Sequence, residues 1–584
     1  MNFRSKIILK FVFLYNLIII FLFSTVSKSE TINFPNNFKW CVATAAHQIE
    51  GNNINSDHYH WEISKPHRVI SKNIVENPLA NEILKNSSGA FASEPINCSI
   101  IKKNSDPDPL RKNTILFPVE KKKKDNSLVS NFIEFGQESS GSVNTSQNNM
   151  KNKHEVGGDE ESFYICEYSG AAVDHWNRLK EDVKLIKSLN VQWYRFSIEW
   201  AKVEPQKGVY DESAIQHYIN EVKLLKDSGI EPHVTLFHFT MPQWLRQEGG
   251  WESYKSPQYF RKFTKKIYKE FAKQNIYIPV WYTFNEPMVH LSAGYIAGVL
   301  PPGLKESSKF TIALKNLLRA HALSYRELHF LASHKKYNQN NIRVGIAHHL
   351  RVFEPLDNMF FAKRLIADSV SFFIDYVWNW MFIDAIETGK LSLNTKYLSD
   401  LGIPVPHFLQ TINYEDTILK GTQDFLGLNY YSRDRVNINF DPLAPISLIV
   451  TPDAKINDKI TEMGWEIYPE GFYKILKSLD NRIQNFGNRK LAIIISESGI
   501  ADSTDSKRIL FLKEHLQNMN KAIDEGVNIE GFCYWSLLDN FEWNSGYYPQ
   551  FGLYSVDLKN NYKRTLRNSG VFFSQVSKNN SFEK

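Results

Sequence analysis

"FRKFTKKIYKEFAKQNIYIPVWYTFNEPMVH", residues 260–290, contains one complete unit of the fold. Its first half, up to Gln274, spaces apolar residues among lysines in the manner of an amphipathic helix with one buried face. Its second half, from Pro279, is an aromatic and β-branched run that reads as a strand. That strand ends on Asn285 and Glu286 side by side, with Pro287 closing off further pairing. A carboxylate buried alone costs several kcal/mol, so a glutamate at the end of an apolar strand calls for a chemical reason.

The same alternation runs through most of the chain. "FKWCVATAA", "VQWYRFSIE", "PHVTLFH", "PVWYTFNE", "IRVGIAHH", "DFLGLNY", "LAIIISES" and "IEGFCYWS" are strand candidates, and charge-laced helical patterns lie between them. Strands alternating with helices imply a parallel sheet, and this number of repeats implies an α/β (β/α)8 TIM barrel in a single catalytic domain. Between 65 and 161 the composition shifts to Asn, Ser, Lys and Glu without periodicity, which reads as a largely disordered insertion after the first strand. The barrel domain then comprises 30–64 and 162–574, and 575–584 reads as a polar tail.

Bulk composition excludes several classes. With 584 residues, 42% hydrophobic and 23% charged, the chain can bury a large core. Its 13 Trp and 27 Tyr are many, and aromatics in excess line sites for amphipathic ligands such as sugars. The net charge of +6 owes most of its excess to the run Lys121–Lys124 inside the insertion, so no nucleic-acid partner is expected. Residues 1–29 carry Arg4, Lys6 and Lys10, then an apolar run from Phe11 to Val26, then Ser27 and Ser29. This is the layout of a signal peptide, or of an uncleaved N-terminal anchor, and no later segment is apolar enough to span a membrane. Sequons at Asn86, Asn97, Asn144 and Asn579 fit a glycosylated, secreted or lumenal protein. Four cysteines make no disulfide framework. Cys98 and Cys166 could pair and pin the insertion, whereas Cys41 and Cys533 read as small core residues.

In a barrel of this kind the chemistry sits at the carboxyl ends of the strands. Those ends carry Gln48, Arg195, His238, Asn285 with Glu286, His348 with His349, Asn429 with Tyr431, Glu497, and Trp535 followed by Glu542 and Trp543. Two of them, Glu286 and Glu497, are carboxylates on candidate strands four and seven. Facing acids in an aromatic, polar pocket are what glycosidic bond cleavage requires. Arg195 could keep Glu497 ionised, while the neutral neighbour Asn285 would let burial raise Glu286 and keep it protonated. His348 and His349 read as packing or rim residues, because a metal site would want a third ligand.

"TFNEP" (283–287), "YRFSIEW" (194–200), "NYYSR" (429–433), "GWEIYPEGF" (464–472), "WSLLDNFEW" (535–543), "FGLYSVD" (551–557) and "FKWCVATAAHQIEG" (38–51) resemble glycoside hydrolase family 1. The resemblance implies a retaining exo-β-glycosidase, β-glucosidase-like, with Glu286 as acid/base and Glu497 as nucleophile. It implies supporting roles for Arg195, Asn285 and Tyr431, and glycone contacts from Gln48, His238, Asn429, Trp535, Glu542 and Trp543. No cofactor and no metal are implied, and the partner is a small β-glycoside. Departures from the pattern are "ISESG" around Glu497, Phe239 where many members carry Trp, and Cys41 and His47 where Gly and Tyr are common. A silent sugar-binding relative would be expected to lose one glutamate, and this chain retains both; a transglycosidase would retain the pair. Glu542 disfavours phosphorylated sugars, leaving glucose, galactose and fucose as candidate glycones.

Overall fold

Eight strands form the centre: β1 (Lys39–Ala43), β2 (Trp193–Ser197), β3 (Glu231–Thr235), β4 (Val280–Asn285), β5 (Arg343–His349), β6 (Phe425–Asn429), β7 (Ala492–Ser498) and β8 (Ile529–Trp535). In the computed structural model they close into a barrel in which every neighbouring pair is parallel. All eight coincide with the strands expected from sequence. The structure describes residues 31–64 and 167–584 with breaks at 335–340, 358, 394, 397–399, 401–406, 411, 439–445, 450–458 and 487–489; between 65 and 166 it describes 68–71, 116–118 and 162–165.

Each strand is covered on both faces, which is why it reads as a continuous apolar run and not as an alternation. Cys41, Ala43, Trp193, Val280, Tyr282, Ala347, Phe425, Ile494 and Cys533 fill the barrel interior. A surrounding layer includes α1 (His175–Ser188), α2 (Glu212–Asp227), α3 (Ser256–Lys273), α4 (Ser307–Ser333), α5 (Phe361–Asp375), α6 (Pro469–Gln484), α7 (Arg508–Asp524) and α8 (Asn568–Asn579). In α3 the buried face is Phe260, Phe263, Ile267 and Phe271, one or two helical turns apart, as the opening stretch predicts.

Two expectations are corrected. Cys41 and Cys533 are joined in a disulfide: β1 and β8 are neighbours, and these two residues are direct register partners although 492 positions apart. The C-terminal residues are ordered in the fold. α8 runs to Asn579, and Ser581–Glu583 pairs antiparallel with Thr31–Asn33, because Val576 and Phe582 are buried and Asn580 accepts a hydrogen bond from the Trp40 indole. Within the insertion, Arg68–Ser71, Leu116–Pro118 and Ser162–Ile165 form a small antiparallel sheet. Cys98, Cys166, the N-terminal segment 1–29 and the sequons at Asn86, Asn97 and Asn144 lie outside the described residues. Among those described, no helix is long and apolar enough to cross a membrane.

Candidate active site

The register of β5, β6 and β7 pairs His349 with Asn429 and Asn429 with Glu497, so all three sit at one level of the barrel mouth. Glu286 follows β4 in the left-handed region (φ 45°, ψ 60°) and leads directly into the helix Pro287–Leu291. A non-glycine residue seldom occupies that region, and here it marks the abrupt turn by which a strand end hands its carboxyl to the cavity. Pro287 suits the turn, since the first residue of a helix has no intrahelical use for an N–H.

Arg195 organises one wall. Its guanidinium donates to Glu497 Oε1 at 2.5 Å and to Asn285 Oδ1 at 2.7 Å, and its Nε–H donates to Thr235 at 3.2 Å. It lies over the Tyr282 ring at 4.8 Å, and that ring is admitted by Gly427, where a Cβ would stand 2.9 Å from Tyr282 Cε1. Tyr431 donates its hydroxyl to Glu497 Oε2 at 2.8 Å. The opposite wall is held by amides. Asn429 donates to Glu286 Oε1 at 2.7 Å and to Asn285 Oδ1 at 3.1 Å, and its own carbonyl accepts from Ser496 at 2.6 Å. Asn285 in turn donates to His238 Nε2 at 3.1 Å.

The pocket floor carries the rest of the expected site. Gln48 donates to Glu542 Oε2 at 3.1 Å, to Asn540 at 2.9 Å and to the Phe541 carbonyl at 3.0 Å. His238 stacks between Trp535 (5.8 Å) and Trp543 (6.1 Å). Every residue singled out from the sequence as a site candidate therefore belongs to this one mouth.

Sequence reasoning missed the support behind Trp543. His47 stacks on that indole at 5.6 Å and 8°. Asn53 donates to His47 Nδ1 at 2.8 Å, which leaves Nε2–H to donate to Glu62 Oε1 at 2.5 Å. His47, His58 and Glu62 bring one potential metal-ligand atom each within 4.8 Å of one another. The Glu62 carboxylate is already engaged, since Ser169 donates its amide and hydroxyl to the other oxygen at 2.8 and 2.7 Å. The substitution of His for an aromatic at 47 thus keeps a flat ring against Trp543.

Three buried acids share this cavity, and their charges interact. Burial raises Glu497, Arg195 opposes it, and repulsion from Glu286 adds, leaving the carboxyl up at about 7. Burial likewise raises Glu542, Gln48 opposes it, and the other two acids add, giving about 8. Glu286 is driven up by burial as well, but the His349 ring, 3.6 Å away, and the Asn429 amide bring it below the usual carboxylate range. The expectation that Glu286 has only neutral neighbours is therefore wrong. Adjacent residues on a strand face opposite ways, and the one at 349 faces inward. Glu286 and Glu497 titrate as one pair, so a proton taken by either is withheld from the other.

The model of the family described as glycosyl hydrolase family 1 matches residues 159–582. β-Glucosidase A of Acetivibrio thermocellus is 32% identical over 432 residues, covering 70% of this chain and 88% of that protein. A β-glycosidase from Pyrococcus horikoshii superposes with a TM-score of 0.66 at 25% identity, covering 95% of this chain and 97% of the other. A family 1 β-glucosidase from Thermotoga maritima gives 0.65 at 26% identity, covering 95% and 100%.

Proposed function

From the premise that the chain belongs to glycosyl hydrolase family 1 and is a retaining β-glycosidase, we propose that Glu286 is its acid/base, Glu497 its nucleophile and terminal β-glucosides its substrates. The observation that carries this reading is the unequal dressing of the two carboxyls. Glu497 receives a guanidinium and a phenol, groups that orient an anion for attack. Glu286 receives an amide and an imidazole, which leave it able to gain and lose a proton.

The first half-reaction draws on the state of the pair in which its one proton sits on Glu286 and Glu497 is the anion: a Glu497 oxygen bonds to the anomeric carbon as the glycosidic C–O bond breaks, and the departing oxygen takes that proton. In the second, Glu286 takes a proton from water, whose oxygen bonds to the anomeric carbon and returns the electron pair to Glu497. Two displacements at one carbon give net retention. Tyr431 remains a phenol throughout, since burial and Glu497 hold it well above its ordinary value. Asn285, pinned by Arg195, Asn429 and His238, is placed to hold the sugar 2-hydroxyl. Gln48, His238 and Glu542 supply hydrogen bonds to the other hydroxyls, and Trp535 and Trp543 supply apolar faces. With its carboxyl up at about 8, Glu542 is largely protonated at neutral pH and can donate as well as accept.

A secretory route belongs to the same reading. It is supported by the basic, apolar, small-residue order of the first 29 positions and by the Cys41–Cys533 bridge, which an oxidising compartment favours. A panel of 4-nitrophenyl β-glucoside, galactoside and fucoside, with the first-formed anomer followed by NMR, tests the activity. β-Glucose as first product from β-glucoside is expected, and α-glucose, or turnover of none of the three, would overturn it. Loss of N-glycans on endoglycosidase treatment of protein made in its own cells tests the route.

A further inference from the structure

His348 and His349 end β5, and the reaction above assigns neither a step. His348 turns to the helix layer, its ring 6.0 Å from Phe382, where burial brings it down to about 3. His349 turns into the mouth. Its Nδ1 stands 3.6 Å from Glu286 Oε1, and the two side chains are 10% and 8% exposed. The ring is held edge-on by Tyr431 at 5.7 Å and by Trp378 at 6.2 Å, and the Trp378 indole donates to the His349 carbonyl at 3.1 Å. Nε2 is buried with no hydrogen-bond partner among the described residues. A bare acceptor there is cheaper than a stranded donor, which favours placing the proton on Nδ1, toward Glu286.

We infer that His349 is a positioning residue for the acid/base step, its Nδ1–H holding the Glu286 carboxylate in the orientation from which it takes a proton from water. This rests on Glu286 being the acid/base. Asn429 and His349 both address Oε1, which leaves Oε2 to meet the leaving group and the water. At 3.6 Å the contact is an ion-pair distance and longer than a hydrogen bond, and contacts of this kind tighten when substrate fills the site. His349 keeps its proton in both half-reactions: the proton from water goes to Glu286, and the electron pair of the broken glycosyl bond returns to Glu497.

A donor in this place steadies the carboxylate form of Glu286: it orients that form toward the water and opposes the protonated form. The charged and titratable groups that share the surroundings of His349 come from several elements: Glu286 after β4, Tyr431 after β6, Asp434 paired with Arg351 at 2.9 Å, and Glu497 with Arg195 behind them. Burial raises the Asp434 carboxyl, and Arg351 and then His349 draw it part of the way back.

The test compares His349→Asn, which keeps a donor, and His349→Phe, which keeps a ring without one. pH profiles are measured with phenyl β-glucoside, whose departure needs a proton, and with 2,4-dinitrophenyl β-glucoside, whose departure does not. For the phenyl substrate the alkaline limb of kcat/KM should move up by about one pH unit in His349→Phe, as expected for one lost hydrogen bond to a carboxylate, and by less in His349→Asn. For the dinitrophenyl substrate that limb should stay in place, while kcat, set by the base step, falls by roughly tenfold in His349→Phe and less in His349→Asn. A phenyl limb unmoved in both variants, or limbs that move together for both substrates, would overturn the inference. Glu286→Ala in the same series separates it from the reading it rests on: if that variant keeps the wild-type phenyl profile, the acid/base assignment itself falls.

Discussion

Replacing Arg195 with Met examines the nucleophile through the group that holds it. The side chain is 1% exposed and, among the described residues, makes the one ion pair to Glu497, 2.5 Å from Oε1. Methionine fills similar space without charge, so the loss is electrostatic. Removing one partner of a buried ion pair strands the other and costs about 3 to 5 kcal/mol. At about 1.4 kcal/mol per pKa unit, that would push the Glu497 carboxyl roughly two to four units above its present position. Its position is about 7. Below that pH each unit of rise leaves about tenfold less ionised nucleophile. At pH 6 the variant should therefore lose roughly a hundredfold or more in kcat/KM, and the acid limb of the profile should move well into the alkaline range. 2,4-Dinitrophenyl β-glucoside is the substrate of choice, because its first step does not call on Glu286. Asn285 loses its guanidinium donor as well, but it is still held by Asn429 and His238; that loss lowers the whole profile without moving its limbs. An acid limb within half a unit of wild type would refute the role given to Arg195.

Other outcomes follow from the same geometry. Glu497→Ala should abolish turnover, and added azide should restore part of it with an α-glycosyl azide as product; Glu286→Ala should still release dinitrophenol, with azide giving the β-azide, so identical anomers from the two variants would contradict the roles. Asp57 is buried with one oxygen unpartnered among the described residues, and burial, opposed by the Met241 and His58 amides, raises its carboxyl to about 7. The folded state then binds a proton that the unfolded chain releases near pH 4, so this contribution to stability is complete below pH 4 and is lost as pH rises through about 7, in total roughly 4 kcal/mol. Asp57→Asn should consequently raise Tm at pH 8 more than at pH 4, and an equal change at both would exclude the titration. Cys41→Ala with Cys533→Ala opens the covalent link across the β1–β8 seam. It should cost about 2 to 4 kcal/mol in denaturant unfolding, with wild type brought to the same midpoint by reductant; coincident wild-type and variant curves without reductant would argue against the bridge.

Much of this protein was legible in its order of residues, for a reason particular to parallel barrels. Strands covered on both faces are apolar throughout, so polar side chains are pushed to their ends, and a reader who finds the strands also finds Gln48, Arg195, His238, Asn285, Glu286, Asn429 and Glu497. The helix and strand of 260–290 needed only their own periodicities. What required the closed barrel were relations between distant residues. Cys41 and Cys533 meet because the last strand returns beside the first, a pairing that local composition does not encode. The C-terminal residues look like a tail until Phe582 finds Phe34 across the N-terminal strand. His348 and His349 are indistinguishable by composition, yet barrel register and the two-residue period send one into the helix layer and the other to the acid/base. The protonation of the site was decided in the same way: a carboxyl's pKa depends on which charges stand a few ångströms off and on how much water is excluded, and both are set only when eight strand ends converge.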